Sequence, residues 1–151
     1  MRRKEKEITD RATLDEIIRE SRVCRLGLTD GDQPYIVPLN FGYQAPYLYF
    51  HCATEGRKLD LIKKNPKVCF EFDQLIKLKK DKNACEWGAE YRSVIGEGVA
   101  EIVTDDEEER NGLAQIMAQY SGRAFEFPDD ALERTCVIRV TIKGMTGKAA
   151  V

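Results

Sequence analysis

The residues with the clearest chemical potential lie in one short stretch, where Gly56 precedes two adjacent cations, Arg57 and Lys58. An apolar run at 47–52 comes before this turn, and an amphipathic helix follows it and ends before Pro66. The N–H groups of a first helical turn lack partners within the helix, and the helix dipole adds partial positive charge. Arginine contributes a fork of donors, and lysine contributes a point charge. This stretch therefore predicts a phosphate-binding site, with a solvated helix start as the alternative.

The only histidine, His51, lies at the end of the apolar run that leads to this turn. It could donate a proton in a reaction, or it could have a structural role alone. The next residue, Cys52, is not expected to be activated by His51, because adjacent strand residues point to opposite faces.

The five cysteines contain no CxxC pair, so the sequence supports neither a zinc ribbon nor a thioredoxin-type site, and no metal site is predicted. Three of them, Cys24, Cys69 and Cys136, lie in apolar runs. We expect these three to be small buried residues in a reducing compartment.

A second region of interest is the run 35–43, which contains Pro38. Proline cannot donate to a strand ladder, so it indicates an edge, a bulge or a place where the sheet opens. Asn40 and Gly42 strengthen this interpretation. Where a strand stops pairing, its free backbone groups can face a ligand.

These residues must be positioned by a mainly β fold. Apolar alternation between turn residues predicts six strands, at 23–29, 35–43, 47–52, 67–78, 91–104 and 135–146. Gly96 and Gly98 indicate a bulge or tight bend in the fifth strand. Because the strands mostly follow one another through turns, the sheet should be antiparallel. A small closed or partly closed barrel with helices outside, formed by the single domain 1–151, is the simplest solution.

Three helices are expected around this barrel. The first spans 14–21, with Thr13 as N-cap in a capping box. The second is the helix that opens with Arg57. The third begins after the N-cap Asp105 and ends at Gly122, and a loop at 123–134 follows it.

Composition excludes several partner classes. The net charge is −2 with 33% charged residues, whereas nucleic-acid-binding domains usually carry a clear basic excess. No stretch approaches the roughly 20 apolar residues of a membrane span. The N-terminus is charged and lacks an apolar region behind it, so no secretory signal is indicated and a cytoplasmic location is predicted.

The sequence resembles the pyridoxamine 5'-phosphate oxidase-like, FMN-binding split-barrel proteins. Within them it is most similar to the nitroimidazole-resistance group, also called flavin-nucleotide-binding proteins. No single motif carries the resemblance, but an ordered set spans nearly the whole chain. The matching stretches are 23–28, 34–43, 48–51, 56–62, 65–70, 92–98 and 146–148.

The resemblance implies a six-stranded antiparallel split β-barrel that forms a homodimer, with FMN in a cleft between the subunits. Arg57 and Lys58 would hold the FMN phosphate, with help from Thr54 and the backbone of Gly56. The backbone of Val37, Pro38, Leu39 and Asn40 would run beside the flavin ring, His51 and Cys52 would lie along the ribityl chain or ring, and Arg92 and Ser93 would add further contacts. His51 is also the candidate catalytic residue, and Trp87 could lie near the flavin or the partner, or fill the core.

The expected function is that of an FMN-dependent oxidoreductase that reduces a small organic acceptor such as a nitroimidazole or another nitroaromatic. The alternative is a protein of the same fold that binds, stores or senses FMN, or binds haem, without turnover. True pyridoxamine phosphate oxidases carry a C-terminal Trp and an Arg-x-His segment. The only histidine here is His51, so that particular reaction is not expected.

Overall fold

The computed structural model describes all residues from Met1 to Val151 and consists of eight strands and four α-helices. The strands are β1 (Glu7–Ile8), β2 (Cys24–Asp30), β3 (Gln33–Leu39), β4 (Gly42–Gln44), β5 (Tyr47–Cys52), β6 (Lys67–Lys79), β7 (Gly88–Ile102) and β8 (Cys136–Ala150). The helices are α1 (Arg11–Glu20), α2 (Arg57–Lys64), α3 (Asp106–Ser121) and α4 (Asp129–Glu133), and short 3-10 helices occur at Lys4–Lys6 and Ala84–Glu86.

All strands belong to one antiparallel sheet, in the order β3-β2-β6-β7-β8-β5-β4, with β1 paired to β8. The path does not close, because β3 and β4 end it on opposite sides and do not pair with each other. Six long strands and an unclosed sheet confirm the predicted mainly β split barrel. The register shifts between Glu97 and Gly98 where β7 pairs with β8, which confirms the predicted bulge.

Strand β5 shows how the two faces of the sheet are used. Leu48 and Phe50 belong to the main core of 20 buried residues inside the barrel. The residue between them, Tyr49, points the other way and packs with Val137 and with Ile116 of α3 in a second, smaller core. Helices α1 and α2 bury their apolar faces in the main core. For α2, this packing holds the first turn of the helix in place against the sheet.

The predicted capping box of α1 is wrong. The helix starts at Arg11 with Asp10 as N-cap, and the Asp10 carboxylate accepts a hydrogen bond from the Thr13 N–H at 3.0 Å. A carboxylate three residues upstream satisfies the free donor, so Thr13 lies inside the first turn.

Two further boundaries differ from expectation. The strand predicted at 35–43 is divided into β3 and β4, with Asn40 and Phe41 between them. The predicted loop 123–134 contains α4, which is too short to show an apolar period in the sequence. The end of α3 is as predicted, since Gly122 adopts φ 67° in the left-handed region. None of the helices combines the length and apolarity that crossing a membrane requires.

Candidate functional site

The candidate site lies where the sheet is open. Strand β3 ends the sheet, so one of its edges has no neighbouring strand, and Pro38 lies in it. An edge strand tolerates proline because no ladder bond is lost on the unpaired side. The end of β5 and the start of α2 complete this region. We call the free edge of β3, the end of β5 and the start of α2 the open side of the barrel.

Arg57 is held in place here without being fully neutralised. Its guanidinium lies over the Tyr35 ring, with Cζ 4.2 Å from the ring centroid. Its Nη2 is 3.4 Å from the Asp30 carboxylate, which is long for a charge-assisted hydrogen bond, and 54% of the side chain is exposed. Tyr35 therefore orients the guanidinium, while most of its donors remain available to a ligand.

Lys58 is half-buried and has no carboxylate oxygen within 4.0 Å, so it forms no ion pair. It lies near the thiol of Cys52 at the end of β5. Burial raises the pKa of that thiol, and the positive charge of Lys58 opposes the rise. An unpaired, partly desolvated ammonium group is a favourable partner for an anion.

The start of α2 supplies further donors. Gly56 has φ 147°, a conformation that strongly favours glycine, and no side chain caps the helix. The first backbone bond of the helix runs from the Asp60 N–H to the Gly56 carbonyl, at 3.2 Å. The earlier N–H groups have no helical partners, and exposed Thr54 adds a hydroxyl to the same turn. Two available cations beside an uncapped helix start fit the phosphate group for which the sequence predicts a site.

The β3 residues predicted to border the flavin divide by exposure. Pro38 and Asn40 are exposed, whereas Val37 and Leu39 are half-buried and pack against the main core. At the open side, therefore, the side chains of Pro38 and Asn40 face outward together with the backbone of this segment, and those of Val37 and Leu39 face the core.

The structure separates His51 from Cys52. His51 is exposed and lies opposite Val137 in the ladder, on the face of β5 that carries Tyr49. Cys52 lies on the barrel face and packs against the main core. His51 thus does not share the immediate surroundings of Cys52 and Lys58, in line with the predicted alternation.

Within one chain the structure does not bring Arg92 to the open side. Its guanidinium forms ion pairs with Glu16 and Glu20 of α1 and donates to Gln74 at 3.0 Å. Through the intervening strand β6, the ladder aligns Arg92 with a position just before the first residue of β2. Asp30, the neighbour of Arg57, is the last residue of β2, so Arg92 and Arg57 lie at opposite ends of this strand. Adjacent Ser93 is half-buried and lies between Asp73 and Lys148 in the ladder.

Trp87 does not fill the core. It is 51% exposed near the loop between β6 and β7, and its Nε1–H donates to the Asp81 carbonyl at 2.6 Å. Three other large apolar side chains near this loop, Leu75, Ile76 and Leu78, are also exposed. Cys69, expected to be buried, is exposed as well, since it points to the outer face of β6.

Sequence reasoning missed the two residues that position Arg57, namely Tyr35 and Asp30. Both lie in the hairpin of β2 and β3, more than 20 residues before Arg57 in the chain. Their contact with α2 depends on the tertiary packing of the helix, for which no local pattern gives a signal. The structure contains no group of three or more His, Cys, Asp or Glu side chains that could hold a metal ion.

Comparison with known proteins places this geometry in a family. The family model described as pyridoxamine 5'-phosphate oxidase matches residues 10–149. The chain belongs to this family. No curated protein sequence matches the chain.

Solved structures agree with the family assignment. A candidate 5-nitroimidazole antibiotic resistance protein from Bacteroides thetaiotaomicron is 34% identical over 94% of this chain and 85% of its own, with a TM-score of 0.84. A flavocytochrome from Azotobacter vinelandii has a TM-score of 0.85 at 19% identity, over 100% of this chain and 72% of its own. An FAD- and haem-binding protein from Mycobacterium smegmatis also reaches 0.85 at 19% identity, over 96% and 73%. The last two show the fold alone, and the family fold is the flavin-binding split barrel.

Proposed function

We propose that this protein binds FMN at the open side and, as a homodimer, passes electrons to a small organic acceptor such as a nitroimidazole. The observation that carries the proposal is the pair of available cations, Arg57 and Lys58, at the uncapped start of α2 beside the free edge of β3. When bound, the flavin supplies the electron-transfer chemistry, and the protein supplies binding, orientation and electrostatics.

The donor set favours FMN over FAD. A terminal phosphate monoester carries about two negative charges near neutral pH, which an arginine and a lysine side by side can balance. In FAD the same phosphate is part of a pyrophosphate bridge and carries less charge. The proposed contacts to the phosphate come from Thr54, the Gly56 backbone, Arg57 and Lys58.

The remaining proposed contacts follow the free edge of β3 and the end of β5. The ring would lie along the backbone of Val37, Pro38, Leu39 and Asn40, with His51 and Cys52 beside the ribityl chain or ring. Arg92 and Ser93 lie at the far end of the barrel from Arg57, so a second copy of the chain is the simplest way to bring them to the same cofactor.

Exposed apolar side chains support the homodimer. Ile36 is 65% exposed and Ile95 is 59% exposed, and both lie on the outer face of the sheet. Leu75 near the β6–β7 loop is 62% exposed. Burying such side chains against a second copy would remove apolar area from water.

The position of His51 favours a second candidate function. His51 is not among the titratable side chains that lie beside the two cations, which include Asp30, Tyr35 and Cys52, and it lies on the other face of β5. A protein that binds flavin without turnover needs only the two cations, the uncapped helix start and the free strand edge of the open side. Storage or sensing of FMN is therefore the alternative, and haem is the alternative ligand.

Binding is tested by titrating FMN, FAD and riboflavin into the flavin-free protein and following flavin fluorescence. We compare the wild type with the double variant Arg57→Ala/Lys58→Ala and with Lys63→Ala/Lys64→Ala, which removes two exposed cations from the other end of the same helix. Loss of charge-assisted hydrogen bonds should weaken FMN binding by about 10- to 100-fold per residue. Riboflavin, which lacks the phosphate, should bind equally to all three proteins.

Two results would contradict this proposal: FMN binding no tighter than riboflavin binding, or equal loss of affinity in both double variants. Purified protein with a haem Soret band would redirect the proposal to haem.

Turnover is tested by anaerobic reduction of the FMN-loaded protein with nicotinamide cofactors, followed by addition of a nitroimidazole, which separates an enzyme from a flavin-binding protein without activity. If His51 acts in turnover, His51→Ala should slow reoxidation at unchanged FMN occupancy.

A further inference from the structure

Two cysteines face each other at the end of a strand ladder. Cys52 is the last residue of β5, Cys136 is the first residue of β8, and they are directly opposite in the antiparallel register. The Cα atoms of such pairs are about 4.5–5.5 Å apart, which falls within the span of about 4.4–6.8 Å that a disulfide bridges.

The two side chains also point the same way. Both are half-buried and pack against the main core, and the two thiols are near enough for each to influence the pKa of the other. The other three cysteines differ, since Cys24 is buried inside β2 and Cys69 and Cys85 are exposed without a cysteine opposite them. Because the pair ends the ladder, the adjoining turn can adjust when the sulfur atoms approach.

We propose that Cys52 and Cys136 form a reversible dithiol–disulfide pair that is oxidised by peroxide. The Cys52 thiolate attacks one peroxide oxygen, the O–O bond breaks, and Cys52 sulfenic acid and hydroxide form. The Cys136 thiol then attacks the Cys52 sulfur, the S–S bond forms, and water leaves. In total the two thiols lose two protons and two electrons, and hydrogen peroxide becomes two water molecules.

The surrounding charges set the order of these two steps. The ammonium of Lys58 lies near Cys52 and favours its thiolate. Burial, followed by the nearby Cys52 and Glu109, raises the pKa of Cys136 to about 11, and the charge of Lys63 opposes this rise. Cys52 is therefore the attacking thiol and Cys136 the resolving one. Burial keeps both thiols mostly protonated at neutral pH, so the oxidation should accelerate as the pH rises.

This pair adds a modification site next to the proposed phosphate site, and its formation does not depend on flavin binding. In a reducing cytoplasm, the location that the sequence predicts, the resting form is the dithiol. Oxidation would fasten the end of β5, just before the turn that leads to Arg57, to the first residue of β8. The cross-link closes a long chain segment, from residue 52 to residue 136, so the oxidised protein should also resist denaturant better.

The test treats the folded wild-type protein with hydrogen peroxide, blocks the remaining thiols with an alkylating agent and measures intact mass. Free thiols should fall from five to three, with a mass lower by two hydrogen atoms before alkylation. Digestion without reductant should yield one linked peptide pair, containing Cys52 and Cys136, and dithiothreitol should restore all five thiols. The urea midpoint should be higher for the oxidised form.

Matched variants separate this pair from the other cysteines. Cys69→Ser/Cys85→Ser should still lose two thiols, whereas Cys136→Ser should stop at the sulfenic or sulfinic acid of Cys52. A cross-link through Cys69 or Cys85, or a wild-type protein in which peroxide leaves Cys136 fully alkylatable, would overturn the proposal. The wild-type peptide map decides the question even if a serine variant fails to fold.

Discussion

The open side differs sharply from the region where α1 and α3 pack on the sheet, which we call the closed side. The closed side contains Gly42, Tyr43, Tyr49 and Arg92. There the Tyr49 hydroxyl donates to Glu108 at 2.6 Å, Tyr43 donates to Asp15, and Arg92 binds two carboxylates of α1. On the open side Lys58 has no ionic partner and Arg57 only a distant one.

The difference teaches how to separate structural from functional cations in one chain. A buried polar group costs free energy unless it is paired, so the closed side pairs the hydroxyls of Tyr43 and Tyr49 and both terminal nitrogens of the Arg92 guanidinium within the chain. Only the buried Nε of Arg92 lacks a hydrogen-bond partner. Arg57 and Lys58 gain little from the fold and remain available to an external anion. Arg92 therefore contributes to the fold of each chain, whatever contact it makes with a cofactor in a dimer.

Among the substitutions that test this difference between the two sides, we expect the largest effect on the closed side, at Gly42. A Cβ there would lie 2.5 Å from backbone atoms of Gln115 and Ile116 in α3, so neither side could yield without moving the helix. We expect Gly42→Ala to lower the free energy of unfolding by about 2–4 kcal/mol. Urea denaturation followed by far-UV circular dichroism measures this.

Gly144→Ala is the matched control, because a Cβ at Gly144 in β8 meets no atom within 4 Å. It should change the unfolding free energy by less than about 0.5 kcal/mol. If Gly42→Ala were as harmless as Gly144→Ala, α3 would not pack closely on β4 and the closed side would be wrongly described.

The close approach of α3 to β4 also shows what the sequence could predict. The strands, the three longer helices and the split barrel follow from apolar periods, turn residues and the family resemblance. That Gly42 touches α3 could not be predicted, because the contact joins segments about 70 residues apart and depends on the docking angle of a helix. The cap of α1 was mispredicted for a different reason: Asp10 and Thr13 are both good N-cap residues, and only the observed backbone selects one.

A smaller effect is expected for Tyr43→Phe. The hydroxyl of Tyr43 donates to Asp15 and accepts from Arg11 at 3.3 Å, so the variant should lose about 1 kcal/mol at pH 8. Burial, followed by the Asp15 carboxylate, raises the pKa of Tyr43 to about 12, above the value of about 10 in an unfolded chain.

The sign of the pH dependence follows from this shift. Because the folded state favours the neutral phenol, the stabilisation is complete below about pH 10 and is lost as the pH rises toward about 12. The difference in unfolding free energy between wild type and Tyr43→Phe should therefore shrink between pH 9 and about pH 12. A difference that stays constant or grows over this range would show that the hydroxyl is not held as described.

The candidate site was predicted in part. The phosphate-binding turn could be recognised because its residues are consecutive, so local sequence carries the whole pattern. The roles of Tyr35 and Asp30, and the pairing of Cys52 with Cys136, are visible only once distant strands are aligned. No local pattern indicated that Arg92 would meet Glu16 and Glu20, since charges on a helix have many possible partners.

The smallest effect on stability should come from the residues with the largest proposed effect on ligand binding. Arg57→Ala/Lys58→Ala removes one long ion pair, one stacking contact on Tyr35 and an unpaired ammonium group. Exposed contacts of this kind contribute little, so the unfolding free energy should change by less than about 1 kcal/mol without ligand. Urea denaturation of the ligand-free protein, with Lys63→Ala/Lys64→Ala as the control, measures this change.

With FMN present, the wild type should gain stability that Arg57→Ala/Lys58→Ala does not, since only a ligand that binds the folded state shifts the equilibrium. A large loss of stability without FMN would mean that these two cations serve the fold, as Arg92 does, and that the open side has no cation left over for a phosphate.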